Sequence, residues 1–236
     1  MLKKKRVPIV FEDDAVIVCE KPAGMPVQSD HTRDMDVLTI LKHHIFEEQN
    51  SEEEPYLAVV HRLDRPVGGL MVLAKTKEAA ANLSEQIQNF EFEKNYQAVV
   101  CGNLREDFGT FEDYLLKNGK TNKTEVVKAG TPGARKAELD YELIDCIETK
   151  EGVLTWILVI LHTGRHHQIR VQMAHAGMPL AGDRKYGAGT NVTIGAGSLA
   201  LCAASLTFFH PVTGKVMKFV TKPEGTEFKG ISIPQM

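Results

Sequence analysis

Apolar residues along this chain gather in short runs rather than long ones. Ala15–Cys19, Tyr56–Val60, Leu70–Ala74, Tyr96–Cys101, Val153–Leu161, Leu199–Leu206 and Val216–Val220 are rich in Val, Ile and Leu, and Gly, Pro or Asp stands at most of their borders. Runs of this length and composition predict strands. Three segments carry helical spacing instead. Asp36–Phe46 opens on a candidate N-cap and places Val37, Ile40, Leu41 and Ile45 on one side. Glu78–Phe90 repeats Ala79, Leu83, Ile87 and Phe90, and His166–Ala176 stops at Gly177, with Pro179 just beyond. Many strands and few helices in irregular alternation predict an α+β protein. No internal repeat is present. Glu47–Pro55, Asn118–Ala134 and Gly187–Gly197 read as flexible connections, none long enough to separate domains, so residues 1–236 are expected to form a single domain.

Composition narrows the class without naming a function. The 236 residues are 43% hydrophobic and 25% charged with a formal net charge of −3, which excludes disorder as the dominant state. No apolar run reaches the roughly 18 residues of a membrane helix. The basic start, Met1 to Arg6, is followed by Pro8 and an acidic stretch rather than an apolar signal core. Cys19, Cys101, Cys146 and Cys202 lie far apart, so a cytoplasmic protein with reduced thiols is the simplest expectation.

The net charge hides segregation. Lys117, Lys120, Lys123, Lys128, Arg135 and Lys136 face only Glu125 between Leu115 and Lys136. Between His162 and Tyr186, four cationic residues and four histidines accompany Asp183. Such stretches can build a positive face that attracts a polyanion, although charge alone fits a solvated surface more simply.

Several familiar chemistries fail on spacing. Gly119-Lys120-Thr121 resembles the end of a phosphate-binding loop, but Tyr114 stands where that loop needs glycine. His162, His166 and His167 lack the glutamate of a His-Glu-x-x-His metal motif, and no Gly-x-Ser-x-Gly elbow occurs. No metal site is expected.

Two segments remain. His61-Arg62-Leu63-Asp64-Arg65-Pro66-Val67-Gly68-Gly69 lies between two predicted strands, where a loop would lift side chains to a sheet edge. Arg62 and Arg65 would keep the Asp64 carboxylate ionised, as a nucleophile or base. The same residues would also make an ordinary exposed Asp–Arg pair in a hairpin-like turn, and the residues alone do not separate the two readings. In Leu161 to Met173 a strand feeds a helix whose first turns carry Arg165, His166 and Arg170, a setting suited to phosphate or carboxylate. If the two segments face each other, Arg170 could pair with Asp64. Equally, Ile169 and Met173 could hold an ordinary core helix with solvated basic residues.

Taken together, His61-Arg62-Leu63-Asp64 with Gly69-Leu70, Gly164-Arg165-His166-His167-Gln168-Ile169-Arg170, Gly182-Asp183 and Tyr186-Gly187 closely resemble the RluA-type RNA pseudouridine synthases. Phe11 to Asp14 with Lys21-Pro22-Ala23-Gly24, and Lys94 to Gly102, extend the resemblance over about residues 8 to 220. The resemblance implies a long, mixed, mostly antiparallel sheet flanked by helices, and isomerisation of uridine to pseudouridine in structured RNA without metal or organic cofactor. It implies Asp64 as nucleophile, Tyr96 packing on the base and assisting loss of the C5 proton, and Arg170 orienting the aspartate. Arg62 matches an arginine that holds the helix open once the uridine leaves it. His61, Arg65, Arg165, His166, Gln168, Lys117, Lys120 and Lys123 are expected to contact RNA, either ribosomal or transfer.

The chain departs from the family pattern at Val67-Gly68, where Thr-Ser or Thr-Thr is common, and at His166, where Thr is usual. No room is left before Pro8 for the small RNA-binding domain that many relatives carry, so substrate selection is expected to rest on the catalytic domain itself, with a monomer as the default state. A catalytically silent RNA-binding protein or RNA chaperone on the same fold is the alternative. A metal-dependent hydrolase using the histidines is a distant third.

Overall fold

The computed structural model describes residues 6–29, 32, 34–49, 53–150, 152–187, 198–223 and 228. In chain order the elements are β1 (Ile9–Glu12), β2 (Val16–Lys21), α1 (Val37–Gln49), β3 (Ala58–Val59), β4 (Gly68–Ala74), α2 (Lys77–Gln88), β5 (Glu93–Cys101), β6 (Phe108–Asn118), β7 (Lys123–Val127), β8 (Arg135–Thr149), β9 (Gly152–Leu161), α3 (Gln168–His175), β10 (Leu201–Phe209) and β11 (Val216–Val220). The chain forms two compact units, Met1–Lys94 with Ala203–Lys222, and Asn95–Cys202 with Pro223–Met236.

In the first unit β1, β2, β4 and β10 are neighbours in that order, with β11 on β10 and β3 on β4. Val16, Val18, Leu70, Val72, Leu206 and Phe208 form a buried layer under Ala79 and Leu83 of α2. Removing such a layer from water supplies about 1.5–3 kcal/mol per large side chain. Both unit-one helices are capped as their sequences require. Asp36 Oδ1 accepts from the Thr39 N–H at 2.9 Å, and the Thr76 hydroxyl accepts from the Ala79 N–H at 3.1 Å.

In the second unit β5–β9–β8–β6–β7 is an antiparallel run. Val171 of α3 is buried with Leu115 and Ala137 of that sheet, against Val126 and Tyr186. The expected α+β class with mostly antiparallel pairing is what the structure has.

Several boundaries differ from the sequence reading. The strand expected over Tyr56–Val60 shrinks to β3, because β2 pairs with β4 from Gly69 to Ala74 and β3 shares β4's other edge with β10. β6, β7 and β8 were not expected from the apolar runs. In β8, buried Ala137, Leu139 and Tyr141 alternate with Glu138 and Asp140, which is the period of a half-exposed strand and not of an apolar run. The connection expected over Asn118–Ala134 contains β7, so its first half is a hairpin and not a loose loop. α3 starts two residues later than His166 because His167 has φ +56°, a left-handed backbone that a helix cannot include. It ends at His175, one residue before the expected Ala176, which is the C-cap: Gly177, at φ +82°, donates to Ala174 O and Met178 donates to Met173 O, a paired Schellman closure. Beyond Gly187, the expected connection to Gly197 lies outside the described residues, as do residues 50–52 of the Glu47–Pro55 connection.

Candidate active site

The Asp64 loop hangs between β3 and β4 and is clamped by the turn after β2. Lys21, the last residue of β2, is 2% exposed. Its Nζ donates to the carbonyls of Met25 at 2.6 Å, Arg65 at 3.0 Å and Pro22 at 3.1 Å. An ammonium has three donors, and here each meets an oxygen. Gly24 N–H also donates to the Arg65 carbonyl at 2.8 Å, and Arg65 Nε donates back to Gly24 O at 3.2 Å. The Lys-Pro-Ala-Gly turn therefore fixes the backbone one residue after Asp64. Val67 N–H closes onto Asp64 O at 3.0 Å, with buried Leu63 and Val67 anchoring both ends of the loop. Gly69 follows at φ +115°, where a Cβ would stand 2.3 Å from the Ala203 carbonyl, so only glycine lets β4 pass β10 there.

Burial pulls the Lys21 ammonium down to about 7, opposed by the charge of Asp64, which sits half-buried in the same neighbourhood. Lys21 was not singled out by the sequence reading beyond its place in a motif. The signal was a lysine closing a strand whose first four residues are apolar. Between pH 7 and its ordinary 10.5, the unfolded chain binds this proton and the folded chain does not, so Lys21 makes folding more favourable as pH rises across that window. Urea unfolding of wild type and Lys21→Met across that range should show their stability difference shifting toward wild type with pH, by at most about 1.4 kcal/mol per unit. A constant difference would mean that Lys21 titrates at its ordinary value.

The flanking residues divide. Arg62 is exposed. Arg65 reaches Asp34 and the Thr32 hydroxyl, so part of its guanidinium is committed to this loop system. His61 departs from the expected RNA contact. Its Nε2 accepts the Val72 N–H at 3.1 Å and its ring meets Phe92 edge-on at 5.2 Å. Burial, aided by Lys94, lowers it to about 3, so it is a neutral structural wedge.

In the second unit, α3 brings Arg170 inward. Arg170 is 6% exposed, and its Nε and Nη2 donate to Asp183 Oδ2 at 2.8 Å and Oδ1 at 2.7 Å, a two-pronged pair. Burial works against the Asp183 charge, but Arg170 and the Lys185 and Tyr186 N–H groups outweigh it and hold the carboxyl below its usual range. The Arg170 guanidinium also lies 5.1 Å from the centre of the Tyr186 ring. Asp183 and Tyr186 stand in the motif segments Gly182-Asp183 and Tyr186-Gly187, and the pairing of Asp183 with Arg170, thirteen positions away, follows no helical or strand period. Tyr96 is buried on β5 opposite Val159 of β9.

Gln168, expected at RNA, is buried. Its Oε1 accepts from the Thr163 hydroxyl and the Arg165 N–H, and its Nε2 donates to Glu138 O. It ties the end of β9 to the start of α3, a backbone role that its polar neighbours concealed. Arg165 Nε donates to Lys136 O at 2.7 Å. Lys117, Lys120 and Lys123 are exposed around the β6–β7 turn. The three histidines of the suspected metal set are each bonded separately: His162 to Asp140, His166 to Thr124 and His167 to Tyr186. Among the described residues no helix is long and apolar enough to cross a membrane.

The first unit thus holds a half-buried aspartate on a clamped loop, and the second a buried arginine bonded to Asp183 at the start of α3. Residues 15–175 match the model of the RNA pseudouridylate synthase family, and the chain belongs to that family, a class of RNA-modifying isomerases. It is 31% identical over 233 residues to an RNA pseudouridine synthase of Aquifex aeolicus, covering 94% of this chain and 72% of the relative. Ribosomal large subunit pseudouridine synthase C of Escherichia coli is 32% identical over 216 residues, covering 89% of this chain and 64% of the relative. The chain thus spans under two thirds of that enzyme's length. Among solved structures, human RNA pseudouridylate synthase domain containing 1 and domain containing 4 share the fold. Their TM-scores are 0.75 and 0.72 at 20% and 21% identity, over 92% and 91% of this chain and 84% and 88% of theirs.

Proposed function

We propose that this protein converts uridine to pseudouridine in ribosomal RNA, with Asp64 as nucleophile. The clamped Asp64 loop is the observation that carries the reading. A nucleophile must hold its place while a nucleotide is delivered to it, and Lys21 fixes the adjoining backbone from a buried position. The family match spans parts of both units, so the two are read as one catalytic domain. The names of relatives such as the Escherichia coli enzyme point to large-subunit ribosomal RNA rather than transfer RNA.

In this reading a stacked uridine is first swung out of the RNA, with Arg62 filling the opening. Asp64 then forms a bond, either to C1′ as the N1–C1′ bond breaks or to C6 of the base before it breaks, and that bond to Asp64 is broken again once C5 is joined to C1′. The freed base turns, a bond forms from C5 to C1′, C5 gives up its proton with help from Tyr96, and N1 gains one. Arg170, oriented by Asp183, steadies the aspartate. No oxidant or reductant enters, since atoms are only rearranged.

Large-subunit ribosomal RNA and transfer RNA from cells lacking the protein are the substrates to compare. Incubation with the purified protein should create pseudouridine in the ribosomal RNA only. New pseudouridine confined to transfer RNA would overturn the substrate assignment.

The lysines at the hairpin turn are read as phosphate contacts. Replacing Lys117, Lys120 and Lys123 together by Ala should weaken binding and flatten the slope of log affinity against log salt by about 2, at 0.7–0.9 per phosphate. An unchanged slope would remove that turn from the RNA interface.

A further inference from the structure

The start of β7 is held by side chains that the chemistry above leaves unused. Thr124 is 5% exposed, and its hydroxyl meets His166 Nδ1 at 2.7 Å. Its backbone N–H donates to the Tyr186 hydroxyl at 3.0 Å. The Tyr186 hydroxyl also bonds His167 Nδ1 at 2.7 Å. Burial and the nearby Arg170 lower His167 to about 3, so its ring is neutral and can accept there. The two histidine rings stack with centroids 3.7 Å apart. One residue before β7, the Asn122 carbonyl receives Lys185 Nζ.

These bonds tie the hairpin to residues that also orient Arg170. Asp183 Oδ1 takes Arg170 Nη2 and the N–H groups of Lys185 and Tyr186. On the hairpin side, Thr124 stands directly opposite Lys117 in the β6–β7 register, and Lys123 opposite Asn118. The position of the lysine-bearing turn is therefore set at Thr124.

We propose that His166 is a positioning residue that latches the basic β6–β7 hairpin to α3 through Thr124, so that the hairpin's lysines meet RNA phosphates in register with Arg170. The inference rests on the functional reading above and assigns His166 to the hairpin rather than to RNA itself.

The test is binding of purified large-subunit ribosomal RNA, with amide exchange of residues 123–127 measured alongside it. His166→Ala and Thr124→Val should each raise Kd about three- to tenfold, one hydrogen bond's worth, and the double variant no further. Both should speed exchange in β7 without RNA present. His166→Asn places an amide atom where Nδ1 was and should restore binding. With Lys117, Lys120 and Lys123 already replaced, His166→Ala should add less than about twofold, because the latch then positions nothing. A full additional loss in that background, or unchanged exchange in β7, would overturn the latch. Wild-type protein that does not bind this RNA contradicts the functional reading itself, whereas wild-type binding that His166→Ala leaves untouched contradicts the latch alone.

Discussion

Asp64→Asn is expected to lower pseudouridine formation by about four orders of magnitude or more, as loss of a covalent nucleophile does. RNA affinity should stay within about tenfold, or 1.4 kcal/mol. The separation follows from how the loop is held. Lys21 and Gly24 bind the Arg65 carbonyl, and Val67 binds the Asp64 carbonyl, so these bonds to the loop backbone persist in the Asn variant. Asparagine keeps the side chain's size and loses only its charge and nucleophilicity. Single-turnover rates with excess enzyme, beside filter-binding affinities, measure both quantities. An Asn variant that turns over normally would remove Asp64 from the chemistry.

Arg170→Met should destabilise the fold by about 3–5 kcal/mol, because it strands a carboxylate whose side chain is 0% exposed. The expected loss exceeds that of an exposed ion pair such as Lys42–Glu54, which solvent screens. Arg170→Lys keeps the charge but not the fork, and should lie between wild type and Met. Adding Asp183→Asn to Arg170→Met should cost less than the two changes summed, since the second removes the stranded charge. Urea unfolding of the four proteins gives the coupling directly. Strict additivity would show that the pair does not act as a unit.

Where apolar periodicity was strong, the sequence was a sufficient guide. β9 and α2 differ from their predicted bounds by one or two residues, because each buries a side against a core; β11 has the predicted bounds with only Met217 and Phe219 packed against a core. β6, β7 and β8 escaped notice since they bury one face only and fill the other with Glu, Asp and Lys, which dilutes any apolar run. The Asp64 loop was visible as a polar segment between apolar strands. What held it was not, because Lys21 bonds to backbone oxygens, and every residue type supplies those equally. His61 and Gln168 were misplaced for the same reason in reverse: each satisfies a backbone group inside the fold, yet each stands beside arginines that face outward in a linear reading. The left-handed backbone at His167 left no mark in the sequence, since residues other than glycine adopt it rarely.

Tritium release from ribosomal RNA labelled at uridine C5, with EDTA present, tests the central claim most directly. The RNA should come from cells lacking this protein, and wild type should be compared with Asp64→Ala. Release by wild type and none by the variant is the predicted result, because the C5 proton must leave for the new carbon–carbon bond to form. Equal release by both proteins, or none by wild type, would contradict the account.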